Sequence, residues 1–127
     1  MVTVVAALIE KDEKVLIAKR CTGDSNLIDY WEFPGGKVEK DEDEFRAIER
    51  EILEEFELEV KALEYLTNNI CEYPTKTIDL RLYKCEYISG EFLLHDHSEY
   101  RWIEKQYVLS YKLAPADIPL AEYVRSR

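Results

Sequence analysis

The chain reads as an α+β domain, a mixed β-sheet with helices packed on it. Three observations carry that reading. Two β-rich runs, "VTVVAALIE" and "KVLIAKR", open the sequence before any helical pattern appears. A strongly amphipathic segment follows at residues 42–56, and three further strand-like runs come after it. The sequence closes on a short helical segment, so the order is βββ, helix, βββ, helix.

Each element has a local reason. The polar "KDEK" between the first two runs reads as the turn of a hairpin or meander. "CTGDSNLIDY" collects Gly, Asp, Ser and Asn as loops do. "WEFPGGKVE" holds a Pro-Gly-Gly break that neither a helix nor a central strand accepts. The helix is expected to begin near Asp41, because Asp41 and Glu44 have the spacing of a capping box. Over residues 42–56, Phe45, Ile48, Ile52 and Phe56 fall on one stripe and are expected to face the core. "LEVKALEYL", "TIDLRLYKCEYI" and "EYRWIE" read as strands, with Gly90 turning the chain before the last. "DIPLAEYVRS" reads as a helix starting around Pro119, since proline suits a first turn. No repeat or linker divides the chain, so residues 1–127 are expected to form one domain.

Composition narrows the function. With 127 residues, 46% of them hydrophobic, the chain is long enough to bury a core without staples. No run approaches the roughly 18–20 apolar residues that cross a bilayer, and the apolar N-terminus lacks a basic leader and a cleavage site. Cys21, Cys71 and Cys85 fit neither a disulfide framework nor a C-x2-C zinc site, so reduced thiols and a cytoplasmic location are expected. The net charge of −10 argues against a nucleic-acid groove and against anionic membranes. It leaves room for an anionic small molecule that arrives with cations. Whether the chain is a monomer or a homodimer is left open.

Residues 35–58 concentrate the acidity. Glu51, Glu54 and Glu55 lie at i, i+3 and i+4, on one helix face beside the apolar stripe. Carboxylates so placed repel by some tenths of a kcal/mol per pair, and more at a low-dielectric edge. A divalent cation such as Mg²⁺, which takes oxygen ligands, reverses that sign. The plainer reading is a solvated acidic face partly neutralised by Arg46 and Arg50. The "PGG" loop just ahead favours the cation, because its backbone can approach an ion or phosphate closely.

These residues also match a family. "GKVEKDEDEFRAIEREILEEFEL" resembles the Nudix box, G-x5-E-x7-R-E-U-x-E-E-x-G-U with U aliphatic. Gly36, Glu42, Arg50, Glu51, Ile52, Glu54, Glu55 and Leu58 fall into place, while Glu57 stands where the family has glycine. That departure falls on the left-handed exit of the helix and is expected to cost about 1 kcal/mol or to change how the helix ends. "WEFPGGK" resembles the MutT branch, and "LAPADIPLAE" is similar to a phrase of the bacterial CTP pyrophosphohydrolases within it.

The resemblance implies an α/β/α sandwich around a mixed sheet. It implies hydrolysis of a nucleoside triphosphate to the monophosphate and pyrophosphate with Mg²⁺, or Mn²⁺ in its place. CTP, dCTP or oxidised nucleotides such as 8-oxo-dGTP are the expected substrates. Carried over by position, Glu54 and Glu55 would hold metal, with the carbonyl of Gly35 near the same ion and Glu51 as ligand and general base. Asp96, in "HDHSEYRW", matches one more acidic ligand on a later loop. The flanking His95 and His97 suggest zinc only weakly and are expected to be exposed loop residues. Arg20 and Lys37 match phosphate contacts, Phe33 and the backbone of 32–35, Glu32 included, would line the nucleoside pocket, and Asp117 occupies the place of a base-reading residue. Asp117 is also placed to cap the last helix, where Asp is favoured, and the two roles can hold at once. Gly36, Glu42 and Arg50 would orient loop and helix. Two other readings remain: a different nucleoside diphosphate derivative as substrate, such as ADP-ribose or a dinucleoside polyphosphate, and a binding module without catalysis.

Overall fold

In the computed structural model, which describes residues 1–23 and 25–127, β1 (Val2–Lys11) and β2 (Lys14–Arg20) pair only at their hairpin end. The turn takes left-handed φ at both central residues, Asp12 at 53° and Glu13 at 65°. Beyond it the strands part, and residues 31–37 fill the fork. β3 (Trp31–Glu32) pairs with β2 and β4 (Gly35–Lys37) with β1. The proline break lies between them, where the Pro34 carbonyl accepts the Ala7 N–H at 2.7 Å.

The rest of the sheet builds outward from this fork. β1 runs parallel to β6 (Thr77–Ser89), which pairs antiparallel with β5 (Glu59–Glu72), and β2 pairs antiparallel with β7 (His97–Glu104). The result is a seven-stranded mixed sheet.

Alternation along the central strands shows why helices cover both faces. Val5, Ala7 and Ile9 of β1 pack with Ala47, Ile48, Ile52 and Phe56 of α1 (Glu44–Phe56). Ala6 and Leu8 point the other way, onto Leu120, Ala121 and Val124 of α2 (Ile118–Ser126). In β2, Leu16 and Ala18 join the first cluster and Val15 and Ile17 the second. The architecture is the expected α/β/α sandwich. Each large side chain buried in it stabilises the fold by about 1.5–3 kcal/mol.

Three local expectations are corrected. The N-cap of α1 is Asp43, whose Oδ1 accepts the Phe45 N–H at 2.7 Å. Asp41 instead takes a left-handed turn, with φ 62°, and the Glu44 carboxylate bonds Arg81 and Tyr83 rather than closing a capping box. Phe45 is half-exposed against the edge of the Tyr83 ring, and Ala47 holds the buried position. β5 runs to Glu72, past its predicted end, because bulges near Ala62–Glu64 and Tyr65–Thr67 interrupt its alternation. Pro119 does lie in the first turn of α2, after a 3-10 turn at Pro115–Asp117. Among the described residues no helix is long and apolar enough to cross a membrane, and Cys21, Cys71 and Cys85 are free thiols.

Candidate active site

The fork in the sheet sets Gly35 and Gly36 between β1 and α1. A Cβ on Gly35 would stand 1.9 Å from the Val5 carbonyl oxygen, and one on Gly36 would stand 2.3 Å from the Glu51 carboxyl group. Gly35 therefore lets β4 lie close on β1, and Gly36 brings the β4 backbone against the acidic face of the helix.

Arg50 organises that face. Its Nε donates to Glu42 at 2.7 Å, its Nη1 to Glu51 at 3.0 Å and Glu54 at 3.2 Å, and its Nη2 to the Lys37 carbonyl at 3.1 Å. The hydrogen bond to Arg50, with a second from the Glu39 N–H, holds the Glu42 carboxyl down to about 2. Burial pushes the Glu51 carboxyl upward, against the opposing pull of Arg50. Burial pushes Glu55 further, to about 8, with Glu32, Glu51 and Asp96 adding repulsion. Among the described residues nothing donates a hydrogen bond to the buried Oε2 of Glu55. Glu54 is the exposed member of the three.

Asp96 reaches this face from a loop docked on the end of α1. The Leu93 and His95 N–H groups donate to the carbonyls of Phe56 and Glu55 at 3.1 and 3.2 Å. The helix leaves through Glu57 in the left-handed conformation, φ 55°, so this glutamate takes the geometry that the family assigns to glycine. The Glu57 carboxylate lies 2.8 Å from His95 Nε2.

His97 contradicts the expectation of an exposed loop residue. Its side chain is fully buried, stacked on Phe56 with ring centroids 4.9 Å apart, and its Nε2 lies 2.9 Å from Glu32. The cause is a register shift in the pairing of β2 and β7, where Lys19 faces Glu99 but Arg20 faces His97. One skipped residue turns His97 to the α1 face.

Across the sheet edge, on the α2 side, lies a cavity of about 450 Å³. Arg20, Glu32, Phe33, Gly35, Gly36 and Asp117 all line it, so segments far apart in sequence meet there. Asp117 is buried and accepts the Phe33 N–H at 2.9 Å. Burial, then repulsion from Glu32, pushes its carboxyl up to about 8. Asp117 stands at the N-cap position of α2, yet among the described residues its side chain makes no capping bond there and lines the cavity instead. Arg20 Nε stands 3.6 Å from Glu32. Lys37 does not join this group; it is exposed at the end of β4 and lies outside the cavity lining. Tyr73, Ile78 and Leu80 complete the apolar wall, and no local signal in the sequence marks them.

The acidic face suits a divalent cation by its donor chemistry. Among the described residues no three acidic, histidine or cysteine side chains already converge as a metal cage, since Arg50 draws Glu51 and Glu54 to itself. Yet every donor is a hard carboxylate oxygen, and the buried, unpartnered Oε2 of Glu55 calls for a proton or a cation.

Fold and site together define a hydrolase of the Nudix class: the NUDIX domain family covers residues 1–124, and the chain belongs to that family. The chain is 40% identical over 122 residues to the CTP pyrophosphohydrolase of Escherichia coli, covering 96% of this chain and 90% of that protein. It is 30% identical over 118 residues to the 8-oxo-dGTP diphosphatase of Haemophilus influenzae, covering 91% and 86%. The solution structure of the E. coli ORF135 protein superposes with a TM-score of 0.90 at 39% identity, over 99% of this chain and 89% of that one. Nudix hydrolases act on small nucleotide substrates and generally use divalent metal ions.

Proposed function

We propose that this Nudix hydrolase is a Mg²⁺-dependent nucleoside triphosphate pyrophosphohydrolase. It converts NTP and water to NMP and pyrophosphate, acting on CTP and dCTP or on oxidised nucleotides such as 8-oxo-dGTP. One observation carries the reading: Asp117, Gly35 and Gly36 line one cavity, and Gly36 abuts Glu51. A base seated in the cavity would send its phosphates along the two glycines to the acidic face of α1. The names of the two relatives above support both substrate groups.

In this reading Glu51, Glu54, Glu55, Asp96 and the Gly35 carbonyl would hold the metal. Bound Mg²⁺, or Mn²⁺ in its place, neutralises polyphosphate charge and polarises phosphoryl oxygens. Glu51 takes a proton from the water that attacks the β-phosphorus, the part of a general base. The bond from that phosphorus to the α–β bridging oxygen breaks, and the oxygen leaves with the monophosphate. Arg20 contacts a phosphate, and Lys37 supplies a second contact by swinging its exposed side chain inward. Phe33 flanks the base, Glu32 holds Arg20 and closes the pocket, and Asp117 meets the base edge. Gly36, Glu42 and Arg50 orient loop and helix. The single domain of residues 1–127 is the working unit, in the cytoplasm, as a monomer or homodimer.

The test is a screen of common and oxidised nucleoside triphosphates with Mg²⁺, measuring pyrophosphate against phosphate release. Pyrophosphate from CTP, dCTP or 8-oxo-dGTP is expected. Turnover of ADP-ribose or a dinucleoside polyphosphate in preference to every triphosphate would overturn the proposal.

A further inference from the structure

We propose that His95 and His97 form a two-sided clamp that fixes Asp96 against Glu55, so that both histidines are positioning residues for the divalent cation. The proposal rests on the reading of Asp96 and Glu55 as metal ligands. The two imidazoles face opposite ways. His95 reaches outward to Glu57 at 2.8 Å, and His97 reaches inward to Glu32 at 2.9 Å. A carboxylate only accepts, so the Nε2 of each ring carries the hydrogen and donates it. Among the described residues no three His, Cys, Asp or Glu side chains converge as a metal cage, so the H-x-H pair gains no third ligand for zinc.

The backbone between them is held as well. The His95 N–H donates to the Glu55 carbonyl, and the Asp96 carbonyl accepts the Cys21 N–H at 3.1 Å. Asp96 therefore has both neighbours and its own main chain fixed. Its carboxylate stands close enough to Glu55 to add repulsion there. The outer anchor depends on Glu57, the residue that departs from the family motif. In this chain the helix exit that glycine usually makes has gained a side chain, and that side chain holds the ligand loop.

The clamp predicts coupling in metal affinity. Mn²⁺ alone is titrated by calorimetry into wild type, His95→Ala, Glu57→Ala, the double variant and Asp96→Asn. His95→Ala and Glu57→Ala should each raise the dissociation constant about 3–10-fold, at or below the roughly 10-fold lower bound for outer-shell partners, because they act through the loop and not on the ligand itself. The double variant should be no worse than the weaker-binding single, and the metal-free melting temperature should barely move, because the pair is half-exposed. His97→Phe keeps the stacking on Phe56 without the N–H and should weaken Mn²⁺ binding similarly; if it fails to fold, the His95–Glu57 cycle alone decides. Additive single effects, or unchanged affinity in both singles while Asp96→Asn binds at least about 10-fold more weakly, would overturn the clamp and leave Asp96 as a ligand. Unchanged affinity in Asp96→Asn would remove Asp96 from the metal site, and the clamp with it.

Discussion

Asp117 Oδ2 accepts the backbone N–H of Phe33 at 2.9 Å, joining the last 3-10 turn to the fork in the sheet across 84 residues of sequence. The bond holds a carboxyl group inside the cavity, where burial keeps its proton on up to about pH 8. A neutral carboxyl both donates and accepts, and so matches the N3 acceptor and N4 amine of cytosine. Ionised, it only accepts, and suits the N1 and N2 hydrogens of a guanine-type base. The ratio of kcat/KM for CTP to that for 8-oxo-dGTP should therefore fall as pH rises through about 8. A ratio flat from pH 6 to 9 would detach Asp117 from base selection.

The same group makes a stability prediction with a definite sign. The folded chain keeps the Asp117 proton to about 8, whereas an unfolded chain releases it near 3.8. Between these values the unfolded state binds fewer protons, so this residue's contribution to stability declines as pH rises and levels off above about 8. Asp117→Asn preserves an oxygen for the Phe33 N–H and removes the titration. Its melting temperature should exceed wild type at pH 8, with the gap closing toward pH 4, as thermal denaturation across pH would show.

Glu55→Gln separates chemistry from stability. The amide relieves the repulsion from Glu32, Glu51 and Asp96, so metal-free stability at pH 8 should hold or rise. Activity should drop about 100-fold or more, because several kcal/mol of charge stabilisation goes with the metal. A sharp fall in metal-free melting temperature would mark Glu55 as structural instead.

Sequence spacing revealed the parts of this site that lie on one element. The stripe of Ile48, Ile52 and Phe56 and the neighbouring face of Glu51, Glu54 and Glu55 follow from the geometry of a single helix. Phe45 fits the same spacing but sits at the rim beside Tyr83, since a helical wheel cannot say how far the sheet extends beneath it. His97 was hidden because a register shift, not a residue type, turns it inward. The cavity was legible only through resemblance, at Arg20, Glu32, Phe33 and Asp117. Its walls come from both ends of the chain and from the β5–β6 hairpin, and no periodicity encodes a meeting of distant segments.

Two left-handed residues should respond differently to glycine. Glu13, with φ 65° in the β1–β2 turn, makes no side-chain hydrogen bond or ion pair among the described residues to offset its strain, so Glu13→Gly should stabilise by about 0.5–1 kcal/mol. Glu57→Gly removes similar strain but also the contact with His95, and should change stability by less than about 0.5 kcal/mol. Urea denaturation of the two variants resolves the difference; equal gains would mean that the His95 contact contributes nothing to stability.

Gly35 and Gly36 are neighbours in sequence with separate duties. Alanine at 35 would drive a Cβ into the Val5 carbonyl oxygen, a backbone atom in the middle of the sheet that cannot step aside. Gly35→Ala should destabilise the fold by about 2 kcal/mol or more, with activity falling as folded protein is lost. Alanine at 36 would first meet the Glu51 carboxyl group, the far end of a flexible side chain, which can swing away. Gly36→Ala should then fold within about 1 kcal/mol of wild type yet lose up to about 100-fold in kcat, with KM little changed, since a reacting group displaced by about 1 Å costs that much. Melting curves beside steady-state kinetics separate the two. A Gly36→Ala enzyme of full activity would show that the position of Glu51 does not set the rate.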